Sequence, residues 1–140
     1  MDKMVKYGLL GIPFPKEDGG QGASTLSYAL CIEELAKVDA STATACSVHT
    51  SLCTSLIQNF GTPYQKEKYY KALASGQKYG CFGLTEPNAG SDAAGQQSTA
   101  VKEGDHYILN GSKIFITNSG FSDIFVVFAM TDKSKGTKGI

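Results

Sequence analysis

Two short polar stretches hold most of the residues whose types and spacing could do chemistry. One is Leu84-Thr85-Glu86-Pro87-Asn88-Ala89-Gly90-Ser91-Asp92; the other is Phe115-Ile116-Thr117-Asn118. In the first, proline and glycine stop a regular helix or strand from continuing, and Thr85, Asn88, Ser91 and Asp92 can bond to backbone or to a ligand. The second closes a run of aromatic and branched residues with Thr-Asn-Ser-Gly. Each stretch follows a strand-like run, and neighbouring strand ends of one sheet can deliver both to one side. A flat heteroaromatic ligand there would stack on Phe115, while the Thr85 and Thr117 hydroxyls and adjacent backbone N–H groups bond its edge. From the residues alone a plainer assignment stays open, in which Thr85 and Ser91 satisfy loop backbone, Phe115 is core and the first stretch is a linker.

Other chemistries lack their parts. A Ser or Cys nucleophile needs a base within hydrogen-bond reach, and only His49 and His106 are available. His49 falls on the apolar side of a helical run, the usual setting of a satisfied core histidine, and His106 opens a hairpin strand. There is no GxSxG elbow, no P-loop and no GxGxxG after a strand. Cys31, Cys46, Cys53 and Cys81 form no CxxC pair, and no His stands at zinc-ligand spacing from them. They read as small buried hydrophobes in a reducing compartment, and the first ten residues lack the pattern of a signal peptide, so the expected location is the cytoplasm. Thirteen basic residues balance thirteen acidic ones, which gives no field favouring nucleic acid or an anionic membrane. The one basic cluster, Lys133, Lys135 and Lys138, reads as a solvated loop.

The elements that must position the two stretches follow from periodicity. At 140 residues, 41% hydrophobic and 19% charged, the chain suits one globular domain or parts of two. Glycine and proline punctuate Met1 to Gly22, and no helix is expected before Tyr7. From Ser24, a candidate N-cap, Tyr28, Cys31, Ile32, Leu35 and Val38 form one face of an amphipathic helix. Ser41 is read as the cap of a second helix, with Ala45, Val48, His49, Leu52, Leu56 and Phe60 on a shared face. No Asp, Glu, Lys or Arg occurs from Ala40 to Gln65, the mark of a buried helix. The same stretch is too rich in Ser, Thr, Gln and Asn to span a membrane. Gly61 is assigned a left-handed C-cap. Thr62-Pro63-Tyr64-Gln65 then opens a third helix by a capping box, with Glu67 and Lys71 paired and Tyr70 and Leu73 inward, up to Gly76.

After Gly76 the period changes to that of strands. Tyr79–Leu84, Gln97–Glu103, His106–Asn110, Ser112–Thr117 and Ile124–Met130 are the expected strands, with two-residue turns at Gly104-Asp105 and Asn110-Gly111. Lys138-Gly139-Ile140 resembles the start of another, so the sheet reads as cut off. The fold class expected is therefore α+β, an antiparallel helical bundle over residues 1–76 followed by an incomplete antiparallel β meander over residues 77–140.

These residues carry a resemblance. F-G-L-T-E-P-N-A-G-S-D at Phe82 to Asp92 and N-G-S-K-I-F-I-T-N at Asn110 to Asn118 resemble the two flavin-contacting signatures of the acyl-CoA dehydrogenase family, most nearly its short-chain, butyryl-CoA branch. The likeness extends to E-E-L-A-K at Glu33 to Lys37, H-T-S-L at His49 to Leu52 and the G-T-P-Y-Q-K region from Gly61. It implies a subunit with an N-terminal helical domain, a middle β domain and a C-terminal helical domain, assembled as a tetramer. Each subunit would carry one FAD and pass electrons to an electron-transferring flavoprotein. This chain resembles most of the first domain and the opening of the second.

The reaction implied is α,β-desaturation of an acyl-CoA thioester, with the β hydrogen leaving as hydride to FAD. By the same likeness Phe82, Leu84 and Thr85 contact the pyrimidine edge of the flavin. Gly90 and Ser91 line the cofactor, Ser91 bordering acyl-CoA as well. Phe115, Ile116 and Thr117 lie near the central ring. Phe115 stands where many members have Trp, which keeps an aromatic surface but removes an indole N–H. The family's catalytic base, a glutamate of the C-terminal domain, matches no residue here. The resemblance thus implies no catalytic residue within these 140, and it makes Glu86 part of the turn. Two other classes remain as alternatives, a non-catalytic module that binds flavin or acyl-CoA or only assembles with partners, and an acyl-CoA oxidase-like protein.

Overall fold

The computed structural model describes Met1–Ile140 as two units. The first comprises Met1–Phe82 with Thr117–Phe125, the second Gly83–Ile116 with Val126–Ile140. Helices and paired strands are both present, as the α+β assignment requires. No helix is long and apolar enough to cross a membrane.

The first unit opens with a helix that the glycine-rich composition hides. Asp2–Lys6 forms α1, of five residues, too short for a 3.6-residue period to register. Single turns of 3₁₀ helix follow at Leu9–Gly11 and Lys16–Asp18. The segment then folds back on itself: the Gln21 N–H donates to the Gly11 carbonyl at 2.9 Å and the Ala23 N–H to the Ile12 carbonyl at 2.9 Å. Leu10 and Phe14 are thereby fully buried.

Ser24 caps α2, Thr25–Val38, accepting the Ser27 N–H at 3.0 Å. The helix buries none of its residues completely, and Val38, expected on the inner face, is 90% exposed. The next cap is Asp39 and not Ser41: its carboxylate accepts the Ser41 and Thr42 N–H groups at 3.1 and 3.2 Å. Helix α3, Ala40–Ser47, runs without a break into π-helical turns at Val48–Thr54 and then α4, Ser55–Phe60. The Thr54 and Ser55 hydroxyls donate to carbonyls five residues back, those of His49 and Thr50, at 2.7 and 2.9 Å. This five-residue register moves the inward stripe. Ala43, Cys46, His49, Thr50, Cys53 and Thr54 are buried, whereas Leu52 and Phe60, expected inward, are exposed.

Gly61 is extended, at φ −66° and ψ 145°, and not left-handed. Thr62 must be extended to act as an N-cap before Pro63, so the chain turns directly from one helix into the next. The capping box forms as read: Gln65 N–H to the Thr62 hydroxyl at 3.2 Å and Thr62 N–H to the Gln65 amide oxygen at 2.8 Å. It opens α5, Pro63–Gln65, continued by π turns at Lys66–Tyr70 and by α6, Lys71–Ala74. Thr62→Ala should cost about 1 kcal/mol, read as a lower urea midpoint with an unchanged slope. Lys71 meets Glu67 at 2.6 Å, an exposed pair worth only tenths of a kcal/mol. Tyr70 stacks edge-on against Phe14, centroids 5.7 Å apart, and Leu73 is fully buried.

Four strands are observed: β1 Gly80–Gly83, β2 Thr99–Glu103, β3 His106–Asn110 and β4 Ile124–Val127. The Gly104-Asp105 hairpin forms as expected, with Glu103 opposite His106 and Thr99 opposite Asn110. The consecutive meander does not: β1 neighbours β4 and β2 neighbours β3, in two two-stranded sheets. Ser112–Thr117 is not a strand, because Phe115 has φ +57° and breaks the extended run. Asn110-Gly111 is correspondingly no hairpin turn. Gly111, at φ +147°, is needed because a Cβ there would collide with the Ser98 side chain. The C-terminal residues also differ from expectation, since Lys133–Gly139 is 3₁₀ and the Thr131 N–H donates to the Gly139 carbonyl at 2.7 Å.

Candidate functional site

Within the second unit, β1 gives way to Leu84 and Thr85, and the chain then reverses tightly. The Glu86 N–H donates to the Ala89 carbonyl at 3.0 Å and the Ala89 N–H to the Glu86 carbonyl at 3.1 Å, leaving Pro87-Asn88 as an exposed two-residue tip. The Glu86 side chain turns inward and is 6% exposed. Its carboxylate accepts the Gln97 N–H at 2.6 Å, the Ser98 N–H at 3.0 Å and the Lys113 ammonium at 2.7 Å. Lys113, 11% exposed in its side chain, donates also to the Leu84 carbonyl and the Gln96 amide oxygen, both at 2.9 Å. Every proton of the ammonium therefore has an acceptor, the condition under which a buried charge is tolerated.

Burial works to raise the Glu86 pKa, but the Lys113 ammonium and the Ser98 and Gln97 donors overcome it and hold the carboxyl down at about 2. A carboxylate so held is a weak proton acceptor. Its effect is mechanical: through Lys113 it ties the Leu84 carbonyl to the segment that carries Phe115. One residue on, the Ile114 N–H donates to the Thr85 carbonyl at 2.9 Å. Leu84-Thr85 and Lys113-Ile114 are thus fastened side by side, and Phe115 emerges from that junction on left-handed backbone with its side chain 87% exposed. A β-region backbone would avoid this strain, which for a bulky residue costs on the order of 1 kcal/mol.

The sequence-derived site residues are therefore distributed as follows. Leu84, Thr85, Phe115 and Ile116 meet around the Lys113 junction of the second unit. Gly90 and Ser91 stand exposed on the return limb of the loop, and a Cβ placed on Gly90 would meet nothing. Asp92 accepts the Gly95 N–H at 3.1 Å through its carbonyl, as a turn residue. Phe82 and Thr117 are half-buried parts of the first unit. Residue-type reasoning missed Lys113 and Gln96 as organisers. The available signal was a lone lysine directly before the apolar Ile114-Phe115-Ile116, since a charge drawn into such a segment needs a partner.

The first unit holds a second junction. Asn118, left-handed at φ +71° and buried, donates its amide to the Ala45 carbonyl at 2.9 Å and the Gly80 carbonyl at 3.3 Å. His49 is also fully buried: Nδ1 accepts the Gly80 N–H at 3.1 Å and Nε2 lies 3.1 Å from the Leu73 carbonyl. An acceptor Nδ1 requires the proton on Nε2, which then donates to Leu73. Burial pushes the His49 pKa down to about 4, so the ring is neutral near pH 7. His106, by contrast, is exposed beside Asp105.

Helices preceding a β region whose strand ends carry aromatic and hydroxyl groups define a two-domain class, and comparison with known proteins gives it a family. Residues 1–77 match the acyl-CoA dehydrogenase N-terminal domain and residues 81–140 the acyl-CoA dehydrogenase middle domain. The chain belongs to the acyl-CoA dehydrogenase family. It is 61% identical to the short-chain specific acyl-CoA dehydrogenase of Clostridium acetobutylicum over 138 residues, 99% of this chain and 36% of that protein. Butyryl-CoA dehydrogenase from Megasphaera elsdenii superposes with a TM-score of 0.91 at 55% identity, over 96% of this chain and 36% of that one. A chain in the structure of the electron transferring flavoprotein of Acidaminococcus fermentans gives 0.95 at 57% identity, over 99% and 36%. The chain thus spans 36% of the length of each of these relatives.

Proposed function

We propose that this chain supplies the FAD-contacting surface, and part of the acyl-CoA-contacting surface, of a flavoprotein that desaturates short-chain acyl-CoA thioesters at the α,β position. The observation that carries the reading is Phe115. A large aromatic side chain held in the left-handed region and exposed to solvent gains nothing for the fold, and such strain is kept where a ligand uses it. The open space around Gly90 suits the close approach of a bulky group to backbone. Supporting it are the family membership and the 61% identity to a short-chain specific relative.

FAD, when bound, supplies the hydride acceptor. The residues of this chain bind and orient it: Phe115 and Ile116 offer an apolar face, Phe82, Leu84 and Thr85 an edge, and the Thr117 hydroxyl a hydrogen bond near the reacting position. Gly90 and Ser91 border the cofactor, and Ser91 the thioester substrate. Orientation of this kind converts an improbable encounter into a near-intramolecular step. Glu86, committed to Lys113, is not the base that removes the α proton. In the same reading, residues 1–76 are part of an antiparallel helical bundle and residues 77–140 part of a β domain. The protein is a cytoplasmic homotetramer serving an electron-transferring flavoprotein. The similarity to a chain in the Acidaminococcus fermentans structure supports that partner.

Phe115→Ala tests the reading through FAD affinity, measured by quenching of flavin fluorescence. Loss of stacking worth about 1–1.5 kcal/mol should weaken binding roughly tenfold. Unchanged affinity would remove Phe115 from the site.

A further inference from the structure

We propose that Asn118 and His49 are positioning residues that set the two flavin-contacting segments of the first unit, Phe82 and Thr117, in register by gripping the backbone of Gly80 from both sides. The proposal rests on the reading that Phe82 and Thr117 touch FAD.

Gly80 begins β1, two residues before Phe82, and side chains meet both of its polar groups. Its N–H goes to His49 Nδ1 at 3.1 Å and its carbonyl receives the Asn118 amide at 3.3 Å. A side chain at this position is excluded on the remaining side, where a Cβ would stand 2.5 Å from Cys53 Sγ and 3.1 Å from Leu73 Cδ2. Asn118 directly follows Thr117, and its second amide bond, to the Ala45 carbonyl at 2.9 Å, anchors that segment to α3. Its own carbonyl accepts the Phe121 and Ser122 N–H groups at 3.1 and 3.0 Å, closing the turn that follows. His49 is fixed in turn by the Leu73 carbonyl. One peptide junction therefore couples α3, the π turns, α6, β1 and the Thr117 segment, with His49, Leu73, Gly80 and Asn118 buried and Ala45 half-buried. Asparagine is suited to the post on two counts: it tolerates left-handed backbone, and its NH₂ group has two protons for two carbonyls. A grip that only filled the core would have no reason to converge on the single residue linking both cofactor segments.

Asn118→Gly keeps the left-handed backbone and removes only the amide. In the FAD-titrated protein we expect affinity to fall about tenfold, with altered fine structure of the flavin absorption band, because displaced contacts lose their shared geometry. Thr62→Ala, destabilising but remote, serves as control and should bind FAD as the unsubstituted protein does. If the unsubstituted protein fails to bind FAD, the proposed function falls and this inference with it. If it binds, and Asn118→Gly binds equally with the same spectrum, the inference alone is overturned. Should Asn118→Gly not fold, amide exchange in the unsubstituted protein decides. Coupling is reciprocal, so FAD should slow exchange of the Gly80 N–H by about tenfold or more, and no change overturns the proposal.

Discussion

Lys113→Met should lower stability by about 3–5 kcal/mol, the cost of leaving a buried carboxylate without its counter-charge. Three acceptors lose their donor at once: the Glu86 carboxylate, the Leu84 carbonyl and the Gln96 amide oxygen. The side chain of methionine fills the volume, so the loss is electrostatic and not a cavity. Adding Glu86→Gln should recover a large part of it, since the amide oxygen still accepts a backbone N–H and no charge remains buried. Urea unfolding of the two single variants and the double variant measures this as a cycle. A loss below about 1 kcal/mol for Lys113→Met would mean that the pair is solvated in solution. FAD affinity should fall with stability in Lys113→Met, because Leu84 and Phe115 are held together through this ammonium.

Acidification should remove about 3 kcal/mol between pH 6.5 and 4 through His49. Its folded pKa, about 4, lies below the ordinary 6.5, so the unfolded chain binds the extra proton. Stability from this group is complete above pH 6.5 and is lost as pH falls toward 4. The carboxylates whose pKa values are depressed act lower. Glu86 contributes above its ordinary 4.5 and loses that contribution as pH falls toward about 2, while Asp39, Asp123 and Asp132 lose theirs below 3.8. The interval from 6.5 to 4.5 therefore reports His49 almost alone. His49→Gln should be less stable at pH 7 yet nearly flat across that interval. A slope that survives the substitution would assign the proton to another group.

What could be read from the residues was local. The Thr62 capping box, the Ser24 cap, the Glu67–Lys71 pair and the Gly104-Asp105 hairpin each depend on fewer than six neighbouring residues, and each formed as read. The misreadings lie where distant partners decide. An i, i+3, i+4 template carried through residues 48–54 assumes α register, whereas that stretch is π-helical, so Leu52 and Phe60 turn outward. Ser112–Thr117 has strand composition, but Lys113 is drawn inward to Glu86 and Phe115 adopts positive φ, which no propensity anticipates. The meander failed for the same reason, because β1 takes its neighbour from β4, some forty residues away. The candidate site was legible as two motifs through resemblance. The junctions that hold it, Glu86–Lys113 and His49–Gly80–Asn118, join residues 27 to 38 positions apart in sequence and emerge only in three dimensions.

We propose above all an FAD-contacting surface formed by the Leu84-Thr85 and Phe115-Ile116-Thr117 segments. Titrating the isotopically labelled protein with FAD and following backbone amide shifts tests it most directly. Binding should saturate, with the largest shifts at residues 82–85, 90–91 and 115–117 and small ones at the β2–β3 hairpin. Absence of saturation, or shifts centred elsewhere while those residues stay unmoved, would contradict it.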